Sequence, residues 1–502
     1  MSALALLLFA LVPSESATPN VVVILADDLG WGDVSPLNPE SRIPTPAFGR
    51  LAAEGMTFTD AHTSAAVCTP TRYALLTGRH CWRTRLKSGV LGGYSDPLID
   101  PARQTIASLL RDNGYSTSCV GKWHLGLGWQ WRDDAGIDKD NFGKTNAIGK
   151  VDFSRPISGG PIAVGFERSW VVPASLDMSP YVYVANQAAF FTAVDPGNRL
   201  PIIDGSPFPA FYRRGEIAPN FSIVETLDWI VAKAGSEIAA GAEDDRPFFL
   251  YLPLTAPHKP VMPHQRFVGR TELGPYGDFV AQVDDAIGRV LDSIDEAGTT
   301  DETIVIVTSD NGSFMRSSES QPGHVDDPAQ QSFKPSNHRA NGPWRGTKAD
   351  IYEAGHRVPF FVRYPGVVAP GSRTDATVCQ TDMLATLADL LGVEFDADSA
   401  EDSFSMRSVL TGDEASHDRR PLVSQSGNGM LAIREGSLKL IAGDGSGGRE
   451  QPRGKPFAEP YQLYDLATDP GERTNLAASR SDDVKRLSDT LEAIAHGDEI
   501  AH

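Results

Sequence analysis

Two pairs of oxygen-bearing side chains in this sequence follow directly after apolar, β-branched runs. Asp27 and Asp28 end the run NVVVILADD, and Asp310 and Asn311 end the run ETIVIVTSDN. Adjacent carboxylates repel each other unless a cation or protons lie between them, and oxygen ligands without cysteine or histidine suit Ca²⁺ or Mg²⁺ rather than zinc. Each pair taken alone is equally compatible with a turn or a helix cap, but the two together indicate a divalent-cation site.

Basic and imidazole side chains follow other apolar runs. Lys122 and His124 lie in GKWHLG, His258 lies in TAPHKP and Lys348 lies in RGTKAD. A single lysine is usually solvated and a single histidine usually structural, yet Lys122 and His124 are two residues apart, so on a predicted strand they share one face. The glycines around them predict that a ligand can approach the backbone closely. Together these residues could clamp a tetrahedral anion and transfer protons.

One of only four cysteines, Cys68, precedes a helical pattern in VCTPTRYALLTG. A thiol at a helix N-terminus has a lowered pKa and can act as a nucleophile. Arg72, one turn later on the same predicted helix face, would hold an anion nearby. This chemistry alone predicts a cysteine hydrolase. That interpretation conflicts with the carboxylates, because acidic neighbours oppose thiolate formation and thiol enzymes rarely need a hard cation.

Apolar runs and helical patterns alternate along most of the chain. TIASLLRDNG predicts a helix before a strand, RPFFLYLPL predicts a buried strand, and GPYGDFVAQVDDAIGRVLDSIDEAG predicts a long helix with a glycine stop. This alternation predicts an α/β fold with a large, mostly parallel sheet sandwiched by helices. Ligands bind beyond the carboxyl ends of the strands in such sheets, and all of the acidic and basic groups described above except Arg72 and Lys348 follow four predicted strands.

The composition and the residue pattern of the sequence change after Gly392. An acidic, loop-rich stretch is followed by short strand patterns in LAIREGSLKLIAG and YQLYDLATDP and then by a helical pattern. We therefore predict a catalytic domain over residues 18–392 and a smaller C-terminal α+β domain with a short antiparallel sheet over residues 393–502.

Residues 1–17 are predicted to form a signal peptide. Leu4–Val12 is an apolar segment too short to span a bilayer, and small residues near Ser16 and Ala17 suit cleavage. The positive charge that usually precedes such a segment is missing, so an apolar N-terminal tag is the alternative. A signal peptide predicts export to the periplasm or the medium, and no other segment predicts a membrane span.

The chain is acidic, with a formal net charge of −20. This argues against a nucleic-acid-binding surface, which needs a basic face, although a basic pocket for one anionic group could be built locally. Four cysteines are too few for a disulfide scaffold. Cys119 is predicted to be a buried apolar thiol, and the presence of a single disulfide stays open.

Several motifs together resemble one known family. The segment CTPTR from Cys68 to Arg72, followed by LTGR, is similar to the C-x-P-x-R signature of the type I, formylglycine-dependent sulfatases and to its L-T-G-R extension. The resemblance covers nearly the whole chain, from Asn20 to Leu476, through DDLGWGD, GKWHLG, PHKP, TSDNG, GTKADIYEAGHRVP and LYDLATDPGERTNL. It implies an arylsulfatase-like member of the alkaline-phosphatase-like superfamily. One departure is the segment EAG, where the family often has EGG, and it leaves Lys348 unchanged.

The resemblance changes the interpretation of the cysteine. In this family the signature cysteine is oxidised to Cα-formylglycine by a formylglycine-generating enzyme or an anaerobic sulfatase-maturating enzyme. The aldehyde hydrates, and one of its hydroxyls is a hard oxygen nucleophile, which removes the conflict with the carboxylates. The resemblance further implies that the modified residue 68 binds Ca²⁺, with Mg²⁺ as the alternative, together with Asp27, Asp28, Asp310 and Asn311.

The resemblance also implies how the sulfate ester is bound and cleaved. Lys122, Lys348 and His258 bind the sulfate. His258, with Lys348, protonates the leaving alcohol, and Asp310 is a candidate acceptor for the proton of the attacking hydroxyl.

Two further roles concern the hydrated aldehyde itself. His124 takes the proton from its second hydroxyl, so that the aldehyde reforms and sulfate leaves. Arg72 holds the hydrated aldehyde in place.

We therefore expect a sulfatase that hydrolyses sulfate monoesters, and for an exported chain we favour a sulfated carbohydrate as the substrate. One alternative is a phosphomonoesterase or phosphodiesterase of the same superfamily, which usually presents Ser or Thr as the nucleophile and binds two zinc ions. Another is a non-catalytic protein that binds sulfated glycans. Substrate contacts are expected in residues 128–220, notably in WQWRDD, SLDMSPYVYVANQ and FYRRGEIAPN, and HRANGPWRG is expected at the pocket mouth.

Overall fold

The residues Asn20–Asp27 form the central strand of the molecule, and every one of them is buried. The structure, a computed structural model, describes residues 18–132, 147–191, 199–317, 331–396, 398–413, 417 and 420–496. The predicted signal peptide, residues 1–17, lies outside the described residues.

The described strands in chain order are β1 (Asn20–Asp27), β2 (Met56–Phe58), β3 (Ala61–His62), β4 (Ser116–Lys122), β5 (Arg168–Val172), β6 (Tyr183–Ala185), β7 (Ala188–Phe190), β8 (Ile202–Ile203), β9 (Gly215–Glu216), β10 (Phe248–Pro257), β11 (Thr303–Ser309), β12 (Arg316–Ser317), β13 (Ser332–Phe333), β14 (Phe360–Arg363), β15 (Ser372–Thr374), β16 (Val378–Cys379), β17 (Leu422–Gln425), β18 (Leu431–Glu435), β19 (Leu438–Ile441) and β20 (Gln462–Asp465). The described α-helices are α1 (Pro46–Glu54), α2 (Cys68–Thr77), α3 (Ile106–Asp112), α4 (Gly160–Ala163), α5 (Thr226–Ala242), α6 (Gly274–Glu296), α7 (Glu353–His356), α8 (Met383–Leu391), α9 (Arg407–Leu410) and α10 (Ser481–His496). Short 3-10 helices span Trp31–Asp33, Cys81–Arg83, Gln265–Phe267, Thr300–Glu302 and Gln380–Asp382.

Ten strands form one large sheet in the order β15-β2-β14-β11-β1-β10-β4-β5-β6-β7. The five central strands, from β11 to β5, are parallel to one another. The antiparallel pairs lie outside them, where β14 joins β11 and β2 and where β6 joins β5 and β7. The predicted large, mostly parallel α/β sheet is therefore confirmed.

Strand β1 is apolar throughout because helices cover both faces of the sheet. Val21, Val23 and Leu25 pack on the face that α2, α3 and α8 cover. Val22 and Ile24 pack on the opposite face, with α1, α5 and α6. Since successive strand residues point to opposite faces, a strand that is buried on both sides needs a continuous apolar run.

The carboxyl ends of four neighbouring strands carry the predicted site residues. Strands β11, β1, β10 and β4 are adjacent and parallel, so the residues that follow them emerge at one edge of the sheet. Only the ends of these strands can be polar without breaking the apolar interior. The topology therefore concentrates the chemistry in one place.

Strands β17 to β20 form a separate antiparallel sheet near the C-terminus. Ile433 and Leu440 on one face pack against Leu487 of α10. The other face packs against Ile351 and Tyr352, which follow Lys348 closely in the chain. The predicted short C-terminal sheet and terminal helix are confirmed, and the exact domain boundary stays a prediction.

All four cysteines are buried, and none of them forms a disulfide. Cys119 lies within β4 and has no exposed surface, so the predicted buried thiol is confirmed and no disulfide joins the four thiols. Among the described residues, no helix combines the length and the apolar character that crossing a bilayer would require.

A buried network of charged side chains joins the large and the small sheets. Lys439 of β19 donates to Glu353 of α7 (3.0 Å) and lies 3.1 Å from His356. His356 Nδ1 lies 3.0 Å from His62 Nδ1, and His62 Nε2 lies 2.7 Å from Asp60. Two ring nitrogens in such a contact can share only one proton. Burial lowers the pKa of both imidazoles, and Lys439 lowers that of His356 further.

This network predicts a loss of stability in mild acid. A histidine whose folded-state pKa lies below its usual value of about 6.5 is protonated first in the unfolded chain, so its stabilisation is present above that pH and is lost as the pH falls. Between pH 7 and pH 5, His62 and His356 should each lower the free energy of unfolding by up to about 2 kcal/mol. Urea unfolding at both pH values measures this loss.

Variants identify the groups responsible for that loss. His62→Asn and His356→Asn should each show a smaller difference between the two pH values than the wild type. His264→Asn, at a partly exposed position outside the network, should keep the wild-type difference. An undiminished difference in both network variants would show that other groups cause the acid sensitivity.

Candidate active site

The oxygen ligands predicted for a cation converge at the carboxyl ends of β1 and β11. Asp27, Asp28, Asp310 and Asn311 have no exposed surface. The backbone N–H of Asp28 donates to Asp310 Oδ1 (3.2 Å), and Asn311 Nδ2 donates to Asp28 Oδ1 (2.6 Å). The four predicted residues therefore form one buried cluster.

The backbone at Asp28 makes this convergence possible. Its φ of 68° lies in the left-handed region, which Asp adopts more readily than most residues. On a regular strand two neighbours would point to opposite faces. The left-handed residue ends that alternation directly after β1, so that both carboxylates reach the same site.

Two buried oxygens of the cluster lack a hydrogen-bond donor. Within the described part of the chain, Asp28 Oδ2 and Asn311 Oδ1 have no hydrogen-bond partner, and an unsatisfied buried acceptor is costly. Asp27, Asp28, Cys68 and His258 each bring a ligand atom within 4.8 Å of the others. Because carboxylate and amide oxygens dominate the cluster, the residues present fit Ca²⁺ or Mg²⁺.

Helix α2 begins at Cys68, as predicted, and all of its residues are buried. Cys68 Sγ lies 3.8 Å from Asp27 Oδ1 and 3.3 Å from Lys348 Nζ. Burial, together with Asp310, raises the pKa of the thiol to about 12 despite Lys122 and Lys348. The lowered pKa expected for this thiol is therefore wrong, because burial outweighs the helix N-terminus. A protonated thiol is a poor nucleophile, which argues against the cysteine hydrolase.

Arg72 holds a carboxylate of the cluster. Its Nε and Nη2 donate to Asp310 Oδ2 (3.0 and 2.6 Å), and its Nη1 donates to the carbonyl of Lys122 (3.0 Å). Burial raises the pKa of Asp310, but Arg72 and Lys122 outweigh burial and hold this pKa below its usual value. Arg72 thus keeps Asp310 ionised, and the role predicted for Arg72 toward the hydrated aldehyde stays a prediction.

Two buried lysines each neutralise one carboxylate at the end of β1. Lys122 Nζ donates to both oxygens of Asp27 (2.9 and 2.7 Å), and Lys348 Nζ donates to Asp28 Oδ1 (2.6 Å). A cation bound by these carboxylates would neutralise their negative charge in place of the two lysines. Both ammonium groups would then be available to an anion.

His124 reaches the site by a backbone path that differs from the predicted one. Strand β4 ends at Lys122, and His124 has a φ of 56°, so the shared strand face expected for the two residues is wrong. His124 Nε2 donates to the carbonyl of Leu91 (2.8 Å), while Nδ1 has no partner among the residues that the structure describes. Burial and Lys122 hold the pKa of His124 well below its usual value. The imidazole is therefore neutral, with its lone pair on Nδ1.

The glycines near Lys122 and His124 serve protein packing. A Cβ atom on Gly121 would lie 1.9 Å from the carbonyl oxygen of Pro253, and one on Gly126 would lie 2.1 Å from that of Asp96. These glycines allow protein backbone, and not a ligand, to come close, so this part of the prediction is wrong.

His258 follows β10 and approaches the cluster from the neighbouring strand. Its Nδ1 donates to the carbonyl of Lys259 (2.6 Å), and its Nε2 lies 3.6 Å from Asp28 Oδ2. Burial, Lys348 and Lys122 hold the pKa of His258 well below its usual value. His258 is therefore neutral in this structure, and its unprotonated Nε2 is on the side of the cluster.

A cavity of about 380 Å³ lies over these groups. Its lining includes Cys68, His124, His258 and Lys348, together with Ser175, Asp177, Met178, Arg213, Lys259, Arg449 and Arg453. Two of the three stretches expected to contact substrate, SLDMSPYVYVANQ and FYRRGEIAPN, contribute to this lining. Trp129 and Trp131 of WQWRDD do not line it, and Asp133 and Asp134 lie outside the described residues.

Three basic residues of the lining were missed by the sequence analysis. Lys259 follows His258 directly, whereas Arg449 and Arg453 come from the C-terminal segment GDGSGGREQPRG. This segment docks on the turn that carries Lys348, because Asp350 Oδ1 accepts from the backbone N–H of Arg449 (2.5 Å). A glycine-rich segment with interspersed arginines predicts a close-packed loop with cationic side chains. The pattern alone does not predict which part of the protein the loop contacts.

Comparisons with known proteins agree with this geometry. The sequence model of the family described as Sulfatase matches residues 19–393. The chain belongs to the sulfatase family. It is 34% identical to an N-acetylgalactosamine-6-O-sulfatase of Bacteroides thetaiotaomicron, over 96% of this chain and 94% of that protein, and 30% identical to human arylsulfatase A, over 91% of this chain and 83% of that protein.

A solved structure from work on the metabolism of multiple glycosaminoglycans by Bacteroides thetaiotaomicron is also similar. Its TM-score is 0.81 at 32% identity, over 95% of this chain and 99% of that one. The expected family and fold are thereby confirmed, and this sulfatase is a sulfuric ester hydrolase. Sulfatases generally use a metal ion and formylglycine, and the carboxylate cluster fits the metal ion.

Chelation should lower the thermal stability of this sulfatase. A ligand present at a hundredfold its Kd stabilises the folded state by about 2.7 kcal/mol, so EGTA should lower the melting temperature and excess Ca²⁺ should restore it. Asp28→Asn should lose most of this calcium-dependent shift in differential scanning fluorimetry. Asp284→Asn, which removes a buried carboxylate that accepts from Ala47 and Phe48, should keep it. A full shift in Asp28→Asn would contradict the assigned cation site.

Proposed function

We propose that this sulfatase hydrolyses sulfate monoesters of a carbohydrate, with Cα-formylglycine made from Cys68 as the nucleophile. The observation that carries the proposal is the convergence of three carboxylates, two lysines and residue 68 in one cluster, from which Lys348 and residue 68 line the cavity. A phosphatase of the same superfamily would usually present a Ser or Thr nucleophile. A non-catalytic binding protein would have no need of a complete catalytic set.

Asp27, Asp28, Asp310 and Asn311 would hold the cation, with Ca²⁺ favoured over Mg²⁺. When bound, a divalent cation orients the sulfate and lowers the pKa of the attacking hydroxyl. Asp310 is kept ionised by Arg72 and is therefore able to accept a proton. Arg72 serves the reaction by fixing this carboxylate.

Lys122 and Lys348 would bind sulfate oxygens once the cation neutralises their present carboxylate partners. His258 would protonate the leaving alcohol together with Lys348. His258 is neutral in this structure, so this role requires proton uptake, and the negative charge of a bound sulfate ester raises the pKa of a neighbouring imidazole.

His124 is suited to regenerate the aldehyde. Its Nε2–H is fixed by the carbonyl of Leu91, so the free lone pair on Nδ1 can accept the proton of the second hydroxyl of the hydrated aldehyde. A neutral imidazole is the form that a general base needs. A proton transfer of this kind contributes typically about 10²–10⁴-fold to the rate.

A carbohydrate substrate is favoured by a polar group in the cavity wall and by the relatives. Arg213 Nη1 donates to Asp177 Oδ2 (2.5 Å), while Asp177 Oδ1 is buried without a hydrogen-bond partner among the described residues. This oxygen is suited to accept a hydrogen bond from a sugar hydroxyl. Because a relative with 34% identity is named an N-acetylgalactosamine-6-O-sulfatase, we infer a 6-sulfated N-acetylgalactosamine unit as the substrate.

Two further parts of the proposal concern the maturation and the export of the protein. A formylglycine-generating enzyme or an anaerobic sulfatase-maturating enzyme would recognise the segment from Cys68 to Arg72 before α2 is buried in the fold. The first 17 residues would direct export to the periplasm or the medium.

Sulfate release from defined sugars tests the substrate. The mature, calcium-loaded enzyme should release sulfate from N-acetylgalactosamine 6-sulfate faster than from the 4-sulfate, as expected from the relative named an N-acetylgalactosamine-6-O-sulfatase. It should act faster on the 6-sulfate than on the matched 6-phosphate, as measured by ion chromatography. Faster release of phosphate would instead support the phosphatase.

Cys68→Ser tests the nucleophile. Serine has one hydroxyl, so it can be sulfated once but cannot expel the sulfate as a hydrated aldehyde does. We expect a single turnover, with stoichiometric sulfation detected by peptide mass spectrometry. Cys81→Ser, which changes a buried thiol that does not line the cavity, should retain multiple turnovers. Sustained turnover by Cys68→Ser would contradict the proposed mechanism.

A further inference from the structure

A second groove adjoins the catalytic cavity. It has a volume of about 690 Å³. Its lining includes most of the segment from Arg339 to Thr347, together with Arg473. The segment HRANGPWRG, expected at the mouth of the catalytic pocket, lines this groove instead. Arg449 lines both the groove and the catalytic cavity, so the two spaces meet at its side chain.

The groove is cationic although the chain carries a net charge of −20. Of the described residues, five arginines and two carboxylates line it, namely Arg316, Arg339, Arg345, Arg449, Arg473, Asp350 and Glu450. An excess of positive charge on so acidic a protein marks a local site for an anion.

Not all of these arginines are available to a ligand. Arg345 is held by Glu450 (2.7 Å) and stacks on Tyr352 at 3.7 Å, so it belongs to the wall. Arg316, Arg339 and Arg473 are exposed. None of these three forms an ion pair with a carboxylate of the described residues. Within the described part of the chain no carboxylate competes for these three guanidinium groups, which can bind an anion in a planar, bidentate manner.

Arg449 connects this charge to the catalytic centre. Its backbone N–H is fixed by Asp350, while its Nη1 makes one long hydrogen bond to the carbonyl of Phe314 (3.4 Å). Lys259, which also lines the catalytic cavity, forms no ion pair with a carboxylate of the described residues. Burial and the nearby Arg449 together lower the pKa of Lys259 to about 8. Two neighbouring cations that destabilise each other are typical of a site that awaits an anionic ligand.

We propose that the groove from Arg449 to Arg316, Arg339 and Arg473 binds anionic groups on the sugar units next to the unit whose sulfate ester is cleaved. The proposal rests on the proposed carbohydrate function. The ligand is an oligosaccharide that carries carboxylates or further sulfates, so the enzyme discriminates a charged chain from a single sulfated sugar. The C-terminal loop thereby determines specificity through Arg449.

Paired substrates test the groove. Sulfate release by the mature, calcium-loaded enzyme is compared on a tetrasaccharide of alternating uronate and 6-sulfated N-acetylgalactosamine, on a carboxyl-reduced form that keeps only the sulfate to be cleaved, and on the 6-sulfated monosaccharide. Several exposed ion pairs together predict a kcat/KM about tenfold higher for the charged tetrasaccharide than for the reduced one. Added salt should narrow this ratio.

Variants connect the ratio to the groove. The double variant Arg339→Ala/Arg473→Ala should lower the ratio to about twofold, mainly through KM, as expected when exposed pairs are lost. Lys485→Ala, which removes an exposed positive charge from α10 outside both cavities, should keep the wild-type ratio. If a reduced tetrasaccharide with an added sulfate on the neighbouring unit regains the advantage, sulfate is the bound anion and the proposal stands.

Two results would overturn the proposal. One is an equal kcat/KM for the charged and the reduced tetrasaccharides, and the other is a ratio that the double variant leaves unchanged. These two results differ from the result expected if the proposed function is wrong. In that case none of the sugars, including the monosaccharide, releases sulfate.

Discussion

Three buried carboxylates and three buried cations pair one to one at the carboxyl ends of the central strands: Asp27 with Lys122, Asp28 with Lys348 and Asp310 with Arg72. Buried charges are tolerated only when they are paired and hydrogen-bonded, so the site is electrically balanced as it stands. A divalent cation would leave two positive charges in excess. The sulfate ester of a substrate carries one negative charge and would offset part of this excess, which links cation binding to anion binding.

This balance depends on parts of the chain that lie far from the central strands in sequence. Lys348 sits on a turn, where the backbone N–H of Lys348 donates to Ser313 and that of Ala349 donates to Ala66. Ala349 has a φ of 77°, which is unfavourable for an alanine. Its carbonyl lies so close to Gly448 that a Cβ there would be 2.3 Å away. The small sheet and its loop thus stabilise, directly after Lys348, a backbone conformation that the local sequence does not favour.

The sequence predicted those features that depend on neighbours along the chain. A continuous apolar run such as that of β1 specifies a strand buried on both faces, and its first polar residues, Asp27 and Asp28, mark the edge where ligands bind. The start of α2 at Cys68 was predictable for the same reason. The signature around Cys68 added the chemistry, because a modification motif is itself a local pattern.

The features that sequence reasoning missed depend on tertiary surroundings. The shared face of Lys122 and His124 was inferred from strand alternation, but the left-handed backbone of His124 replaces the strand. The reactivity of Cys68 was inferred from its helix position, whereas burial among acidic groups decides its pKa. Arg449 is about a hundred residues from Lys348 in sequence, and only the folded chain brings its loop to the cavity.

The acidity of the whole chain and the basicity of its cavities are compatible because they act over different distances. At physiological ionic strength the field of a surface charge is screened beyond about 8 Å, so most of the net charge of −20 is not felt by an anion inside the cavity. What that anion meets is the local set of Lys259, Lys348 and Arg449. Since buried and partly buried cations are screened less than exposed ones, the cavity should retain its attraction for sulfate in salt, whereas the exposed arginines of the adjoining groove should lose theirs. Salt dependence therefore distinguishes the anion that reacts from the anions that only position the chain.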